Sequence, residues 1–309
     1  MSARILDGNA IGASIKAELA EEVKALRAIG VQPGLAAVLV GEDPASQVYV
    51  RSKVKTCEQL GLYSAHIAPP ASITTAELLA LVAELNARDD IDGILIQLPL
   101  PKHIDSKQIL RAIDPAKDVD GFHPVNVGLL STQQPGLVPC TPAGCVEILR
   151  RSNIPMEGKE VVVLGRSNIV GKPVAMLLMN ESATVTVCHS RTHDLAAVCR
   201  RADILVAAIG KAAMVTPDMV RPGATVIDVG INRVTDPKLF EQLYAGDAAR
   251  EKQFAEKGST LCGDVHPRVM EVAGAMTPVP GGVGPLTIAM LMYNTVLAAR
   301  LKRGMAPSR

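Results

Sequence analysis

Tyr49 and Lys53 stand four residues apart in Ser46–Leu60, a stretch whose periodicity predicts a helix. That spacing puts a phenol and an amine on one helix face. Arg51 and Lys55 on the same stretch read as ordinary solvated charges, and Lys53 alone would read the same way. It has company. Gln97 ends the run Asp92–Leu98, which predicts a central strand, and the rigid turn Pro99-Leu100-Pro101 follows. Ligands of open α/β sheets bind outside the carboxyl ends of strands, which is where Gln97 falls. Lys117-Asp118-Val119-Asp120-Gly121 sets two carboxylates beside a glycine turn, although a lone Asp-Gly turn is more often plain surface. Pro278-Val279-Pro280-Gly281-Gly282-Val283-Gly284-Pro285-Leu286-Thr287 is apolar and rich in glycine and proline, a composition suited to lining a flat ligand.

A second group of residues points to a cofactor. The strand Val161–Leu164 runs into Gly165-Arg166-Ser167-Asn168-Ile169-Val170-Gly171-Lys172-Pro173 and then an apolar helix. Strand, tight turn and helix present free N–H groups and a helix dipole to phosphate. The loop has glycine only at its first and last places, so by itself it is a weak dinucleotide signal. The next strand, Thr184–Cys188, sharpens it. NAD enzymes of this fold carry a carboxylate there for the ribose 2′-hydroxyl. Here the strand ends in His189-Ser190-Arg191-Thr192, with no acid. Ser190, Arg191 and Arg166 suit a 2′-phosphate, so the expected cofactor is NADP.

These groups must be held by alternating strands and helices, which predict an α/β fold with parallel sheets. The expected helices are Ile11–Ala28, Ser46–Leu60, Thr75–Arg88, Ala143–Arg151 (Thr141 as cap and Pro142 at its first position), Gly171–Met179, Asp194–Arg200 and Leu286–Ala299. The expected strands are Leu35–Val40, Tyr63–Ala68, Asp92–Leu98, Val161–Leu164, Thr184–Cys188, Ile204–Ala208 and Thr225–Val229. Polar Ser152–Glu160 separates the two α/β series and is a candidate boundary. The charged segment Val234–Ser259 reads as a surface helix or excursion.

Composition narrows the function classes. With 309 residues, two domains are expected. The chain is 48% apolar but only 2% aromatic, and 32 basic residues balance 31 acidic ones. There is no basic stripe and no set of stacking aromatics, so neither nucleic acid nor an anionic membrane is an expected partner. The uncharged stretch Val272–Ala299 is broken by glycines and prolines, which leaves too little continuous helix to span a bilayer. The six cysteines form no CxxC pair or zinc spacing, so free thiols in a reducing compartment and no metal are expected. The N-terminus shows no signal-peptide core, so a soluble cytoplasmic protein is expected.

Taken together, Ser46–Lys53, Gln97–Pro101, Lys117–Gly121, Gly165–Pro173, Ile227-Asp228-Val229-Gly230-Ile231-Asn232 and Pro278–Thr287 closely resemble the motifs of the bifunctional methylenetetrahydrofolate dehydrogenase/cyclohydrolase family, in family order. The resemblance implies an N-terminal α/β folate domain (1–140 with the C-terminal helix 286–309) and a Rossmann-like NADP domain (141–285), with a cleft between them. It implies NADP-dependent oxidation of 5,10-methylenetetrahydrofolate to the methenyl cation, then hydrolysis to 10-formyltetrahydrofolate. By the same resemblance Lys53 is the catalytic lysine, Gln97 positions it, and Leu98 beside them contacts the substrate. Tyr49 stacks on the folate and Asp120 pairs with the pterin. Pro280, Gly281, Gly282, Val283, Gly284, Pro285, Leu286 and Thr287 close over folate and nicotinamide. Gly165, Arg166, Ser167, Ile169, Ser190, Arg191 and Ile231 contact the cofactor. A homodimer is implied as well.

Tyr-x-x-x-Lys also occurs in short-chain dehydrogenases. There the pair follows the glycine loop within one domain, whereas Tyr49 precedes Gly165 by 116 residues. The other readings are a monofunctional or NAD-using member of the same family and a non-catalytic folate-binding protein. Leu286 stands where methionine is usual, His266-Pro267 departs from the usual continuation of Gly263-Asp264-Val265, and Val234–Ser259 is longer than expected.

Overall fold

The computed structural model describes residues 2–307. The chain forms two compact α/β units, each discontinuous in sequence. One comprises Gly12–Cys140 and Thr287–Arg309, the other Met1–Ile11 and Thr141–Leu286.

In the first unit three parallel strands form a sheet in the order Tyr63–Ile67, Gly34–Val38, Gly93–Ile96. The two strands Gly34–Val38 and Gly93–Ile96 are buried along their whole length, as expected of apolar runs covered on both faces. Helix Thr75–Ala87 packs Leu78, Val82 and Leu85 against Ile94 and Ile96. Each such side chain contributes about 1.5–3 kcal/mol on burial. A capping box between Thr74 and Glu77 starts that helix. At its other end Lys117 Nζ donates to the carbonyls of Leu85, Asn86 and Arg88. Helix Pro44–Gln59 begins two residues earlier than the periodicity suggested. Asp43 accepts from the Ser46 N–H at 2.8 Å, and Pro44 occupies the first turn.

In the second unit six parallel strands lie in the order Arg4–Ile5, Ala275–Met276, Thr225–Asp228, Ile204–Ala207, Glu160–Leu164, Thr184–Cys188. The first eleven residues were expected with 12–140. They group here because Arg4 and Ile5 pair with Ala275 and Met276. Ser152–Glu160, read as a boundary, lies inside this unit as the connection into its first long strand.

Other helix starts differ from expectation too: the first helix begins at Gly8 rather than Ile11, and the short one at Leu195 rather than Asp194. Helix Cys140–Arg151 includes Thr141, so Thr141 is not its cap. The C-terminal helix runs Val283–Lys302, so Val283, Gly284 and Pro285 form its first turn. Proline costs nothing there, because first-turn N–H groups have no partner within the helix. Among the described residues, no helix is long and apolar enough to cross a membrane.

Val234–Ser259 is two helices, Pro237–Tyr244 and Ala248–Lys257, flanked by the antiparallel strands Asn232–Val234 and Thr260–Cys262. It has its own small core of Val234, Phe240, Leu243, Tyr244 and Cys262. Phe254 stacks on Phe240 at 4.2 Å, which gathers two of the chain's three phenylalanines here. Apart from Arg250, the charges that hid this segment in the sequence are exposed, while the aromatics close its inner face.

Candidate active site

The first unit brings together a lysine, an amide and a carboxylate. Helix Pro44–Gln59 leaves Arg51 and Lys55 exposed but buries Lys53 to 8% exposure. Lys53 Nζ donates to Gln97 Oε1 at 3.0 Å. Gln97 follows the strand Gly93–Ile96, and its own amide nitrogen donates to the Leu98 carbonyl at 2.7 Å. With the NH2 committed there, the amide presents its oxygen to the lysine. Tyr49 shares the helix face and is 43% exposed, an open aromatic surface beside a buried amine.

Asp120 arrives by register. Asp118 bridges in parallel to Ile94, and the Ile94 N–H donates to the Lys117 carbonyl at 2.7 Å. Lys117–Gly121 therefore runs alongside the strand that delivers Gln97. Gly93 is required there, since a Cβ at that position would sit 2.5 Å from Val119 Cγ1. From the C-terminal helix, Asn294 Nδ2 donates to the carbonyls of Val119 and Val138 at 2.7 and 2.8 Å, on either side of Asp120.

The two aspartates of this motif do different jobs. Asp118 is buried and accepts from the His123 N–H and Asn126 Nδ2, so it is a structural clasp. The Asp120 carboxyl is pushed up to about 6 by burial, with the Lys53 charge opposing the shift and Asp118 adding to it. A desolvated carboxyl beside an ammonium is suited to accept N–H donors from a ligand.

The second unit holds the glycine loop at the carboxyl end of Glu160–Leu164. Gly165 has φ +110°, and a Cβ on it would sit 2.1 Å from the Ala208 carbonyl oxygen. Only glycine makes this turn. Arg166, Ser167, Asn168 and Ile169 are exposed. Among the described residues, none accepts from the N–H groups of these four. Ser167 Oγ instead accepts from Val170 and Gly171, and helix Gly171–Asn180 begins without a side-chain cap. The open N–H groups of this loop suit a phosphate, while the first N–H groups of the helix are held by Ser167. Ser190 and Arg191, both exposed, leave the neighbouring edge strand Thr184–Cys188 at the same end of the sheet. Ile231 is 48% exposed beyond Thr225–Asp228.

In Pro280–Thr287, Gly281 has φ +99°, and Gly282 is closed over by Thr277 and Pro278. Val283 and Leu286 point inward, and Leu286 meets Gly144. Pro280 is exposed, whereas Gly281, Gly284, Pro285 and Thr287 are partly so.

Sequence reasoning named Asp228 and Asp264 only as letters in motifs. The buried Asp264 carboxylate accepts from the N–H groups of Ile209, Gly210 and Lys211 at 2.6–2.8 Å and from Asn232 Nδ2 at 2.9 Å. Asp228 accepts from the N–H groups of Gly230, Asp264 and Val265. Burial pushes Asp228 up to about 7 against those three bonds. The two carboxylates fasten the loops that follow consecutive strands. The signal was a glycine two residues after one aspartate and directly before the other: a Cβ on Gly230 or Gly263 would collide with the partner carboxylate. All six cysteines are free and buried, and no metal cluster exists among the described residues.

Family comparison agrees with this geometry. Residues 6–120 match the catalytic domain of tetrahydrofolate dehydrogenase/cyclohydrolase, and residues 139–303 match its NAD(P)-binding domain. The bifunctional protein FolD of Koribacter versatilis is 69% identical over 98% of this chain and 99% of its own length. That of Solibacter usitatus is 59% identical over 97% and 99%. The crystal structure of FolD from Campylobacter jejuni, 44% identical, superposes with a TM-score of 0.88 over 97% of this chain and 100% of that one. The Trypanosoma brucei enzyme, solved with NADP cofactor and inhibitor, is 41% identical with a TM-score of 0.87 over 98% and 99%. With both its domains matched and relatives aligned end to end, the chain belongs to the tetrahydrofolate dehydrogenase/cyclohydrolase family.

Proposed function

We propose that the protein oxidises 5,10-methylenetetrahydrofolate with NADP and hydrolyses the methenyl product to 10-formyltetrahydrofolate, with Lys53, Gln97 and Asp120 as its reactive and recognition groups. The observation that carries this reading is the 3.0 Å bond from buried Lys53 Nζ to Gln97 Oε1. A lysine held by a neutral amide, rather than locked to a carboxylate, remains able to move a proton.

Tyr49 offers its ring to the folate and Asp120 its carboxylate to the pterin N–H groups. Lys53 then moves the proton between the attacking water and the one-carbon unit. Bound NADP would supply the hydride acceptor. Gly165, Arg166, Ser167 and Ile169 would hold its pyrophosphate, Ser190 and Arg191 its 2′-phosphate, and Ile231 would make an apolar contact. The open N–H groups and the absence of an acid after Thr184–Cys188 fit that group. The NADP of the Trypanosoma brucei structure supports the same choice.

The test is the absorbance of the methenyl product, formed from methylenetetrahydrofolate with NADP or NAD. A clear NAD preference would overturn the cofactor assignment. Formation of methenyl product without its hydrolysis would make the protein a monofunctional dehydrogenase. A homodimer in the cytoplasm, supplying one-carbon units for purine, methionine and histidine synthesis, rests on family membership alone. Sedimentation at the 32.5 kDa monomer mass would refute the dimer.

A further inference from the structure

The two-helix excursion 237–257 touches more than its own core. Arg250, in the first turn of Ala248–Lys257, makes three side-chain hydrogen bonds. Nη1 donates to Thr260 Oγ1 and to the Leu261 carbonyl, both at 3.0 Å. Nη2 donates to the Val279 carbonyl at 2.6 Å. The guanidinium also lies over the Tyr244 ring, 4.9 Å from its centroid. One planar fork is thus fixed by a ring on one face and two acceptors in the strand Thr260–Cys262, and its free edge grips the backbone one residue before Pro280.

Among the described residues, Arg250 is the one side chain that bonds the Val279 backbone, while the glycines that follow pack against Gly8 and Asn9. Val279 and Pro280 lie between the strand Ala275–Met276 and the helix Val283–Lys302, and neither has a ladder or helix bond there. Gly281, at φ +99°, gives the following backbone the widest freedom of any residue type. A segment of this kind loses conformational entropy on ordering unless something outside it supplies the restraint. A charge-assisted bond from a pre-fixed guanidinium is such a restraint.

We propose that Arg250 is a positioning residue for the dehydrogenase and cyclohydrolase reactions, and that the excursion 237–257 is a brace holding Val279–Gly282 in its ligand-ready form. This rests on the reading of Pro280–Thr287 as the segment that closes over folate and nicotinamide. Arg250 itself touches no ligand. It acts through the Val279 carbonyl.

The experiment uses the full-length protein with Arg250→Met and Arg250→Lys. The Asp247 cap of this helix bonds the backbone N–H of residue 250, so either change leaves the cap in place. Methionine keeps the apolar stem and removes every donor. Lysine keeps the charge but not the fork. Amide exchange of Gly281 and Gly282 is measured without ligand, alongside melting and steady-state kinetics. In Arg250→Met, exchange at these two glycines should quicken about tenfold, the scale of one lost charge-assisted bond. KM for methylenetetrahydrofolate should rise by a similar factor while kcat changes less than about threefold. Arg250→Lys should fall between it and the parent.

Unchanged exchange with unchanged KM overturns the brace. A uniform rise in exchange across 141–286, with KM following the fall in melting temperature, overturns it too, because Arg250 would then be merely structural. If the unsubstituted protein does not turn over the folate at all, the functional reading fails, and the exchange result still decides whether Arg250 restrains the segment.

Discussion

Gln97 holds Lys53 with its oxygen and the Leu98 carbonyl with its nitrogen, at 3.0 and 2.7 Å. The amide is fixed at both ends, so the ammonium meets a neutral acceptor of defined orientation. Lys53→Met keeps the stem and removes the proposed proton carrier. Methenyl hydrolysis should fall by about 10²–10⁴-fold, the usual contribution of a positioned acid–base group. Folate affinity should change little. Gln97→Glu should also depress hydrolysis, since a carboxylate would lock the ammonium in an ion pair. Stopped-flow decay of the methenyl chromophore reads both, and unchanged decay in Lys53→Met would remove it from the mechanism.

Asp120 gives a pH signature. Its carboxyl sits at about 6 in the free protein because of burial. Pairing with N–H donors needs the carboxylate, so KM for the folate should climb about tenfold per pH unit below 6 and level off above 7. Asp120→Asn should abolish that slope and weaken binding at every pH.

The same shift carries a stability cost. A carboxyl raised in the folded state from 3.8 contributes most favourably at low pH, and that contribution is lost as pH rises through about 6. Asp120→Asn should therefore stabilise the ligand-free protein at pH 8 by about 1–3 kcal/mol and leave it nearly unchanged at pH 4. Calorimetry at the two pH values checks this. A fall in melting temperature at pH 8 would contradict it.

Cofactor choice should follow Arg191. Arg191→Ala removes a charge-assisted donor and should raise KM for NADP about 10–100-fold. KM for NAD, which has no 2′-phosphate, should stay as it was. Parallel initial-rate measurements with the two nucleotides separate these outcomes, and an equal loss with both would mean Arg191 does not read the phosphate.

Asp264 is the most heavily bonded carboxylate at the site, with four N–H donors on its two oxygens. Asp264→Asn would turn an NH2 toward one of those donors. Destabilisation of about 2–4 kcal/mol is expected, together with weaker NADP binding because the Ile209–Lys211 turn loses its anchor. Thermal melting and nucleotide titration measure the two effects.

Much of this was legible in the sequence, and the reasons are physical. The buried parallel strands are unbroken apolar runs, and Thr184–Cys188 fell on its observed bounds. Lys53, Gln97 and Asp120 each read as ordinary when taken singly. Their order along the chain carried the signal. Short elements were missed because two or three residues show no period. Arg4–Ile5 and Ala275–Met276 exist only through each other and Thr225–Asp228. Helices Ser106–Ala112 and Pro124–Ser131 were unforeseen as well, for they start on the caps Asp105 and His123 inside turn-like sequence. The Asp228–Asp264 relay and the Arg250 contact join residues 36 and 29 positions apart, beyond the reach of any local pattern.

The chain passes from one unit to the other after Ile11, after Cys140 and after Leu286. Neither unit can therefore be expressed by a single cut. A fragment ending at residue 140 would carry Arg4–Ile5 without the strand it pairs with, and it would lack Asn294, which fastens both sides of Asp120. For anyone recombining these halves, or exchanging cofactor specificity between relatives, the transplantable piece is residues 141–286 as an internal cassette, moved together with the N-terminal eleven residues that supply its edge strand Arg4–Ile5. The cassette's last residues already lie within the continuous helix Val283–Lys302, so the distal joint must be made in helical phase.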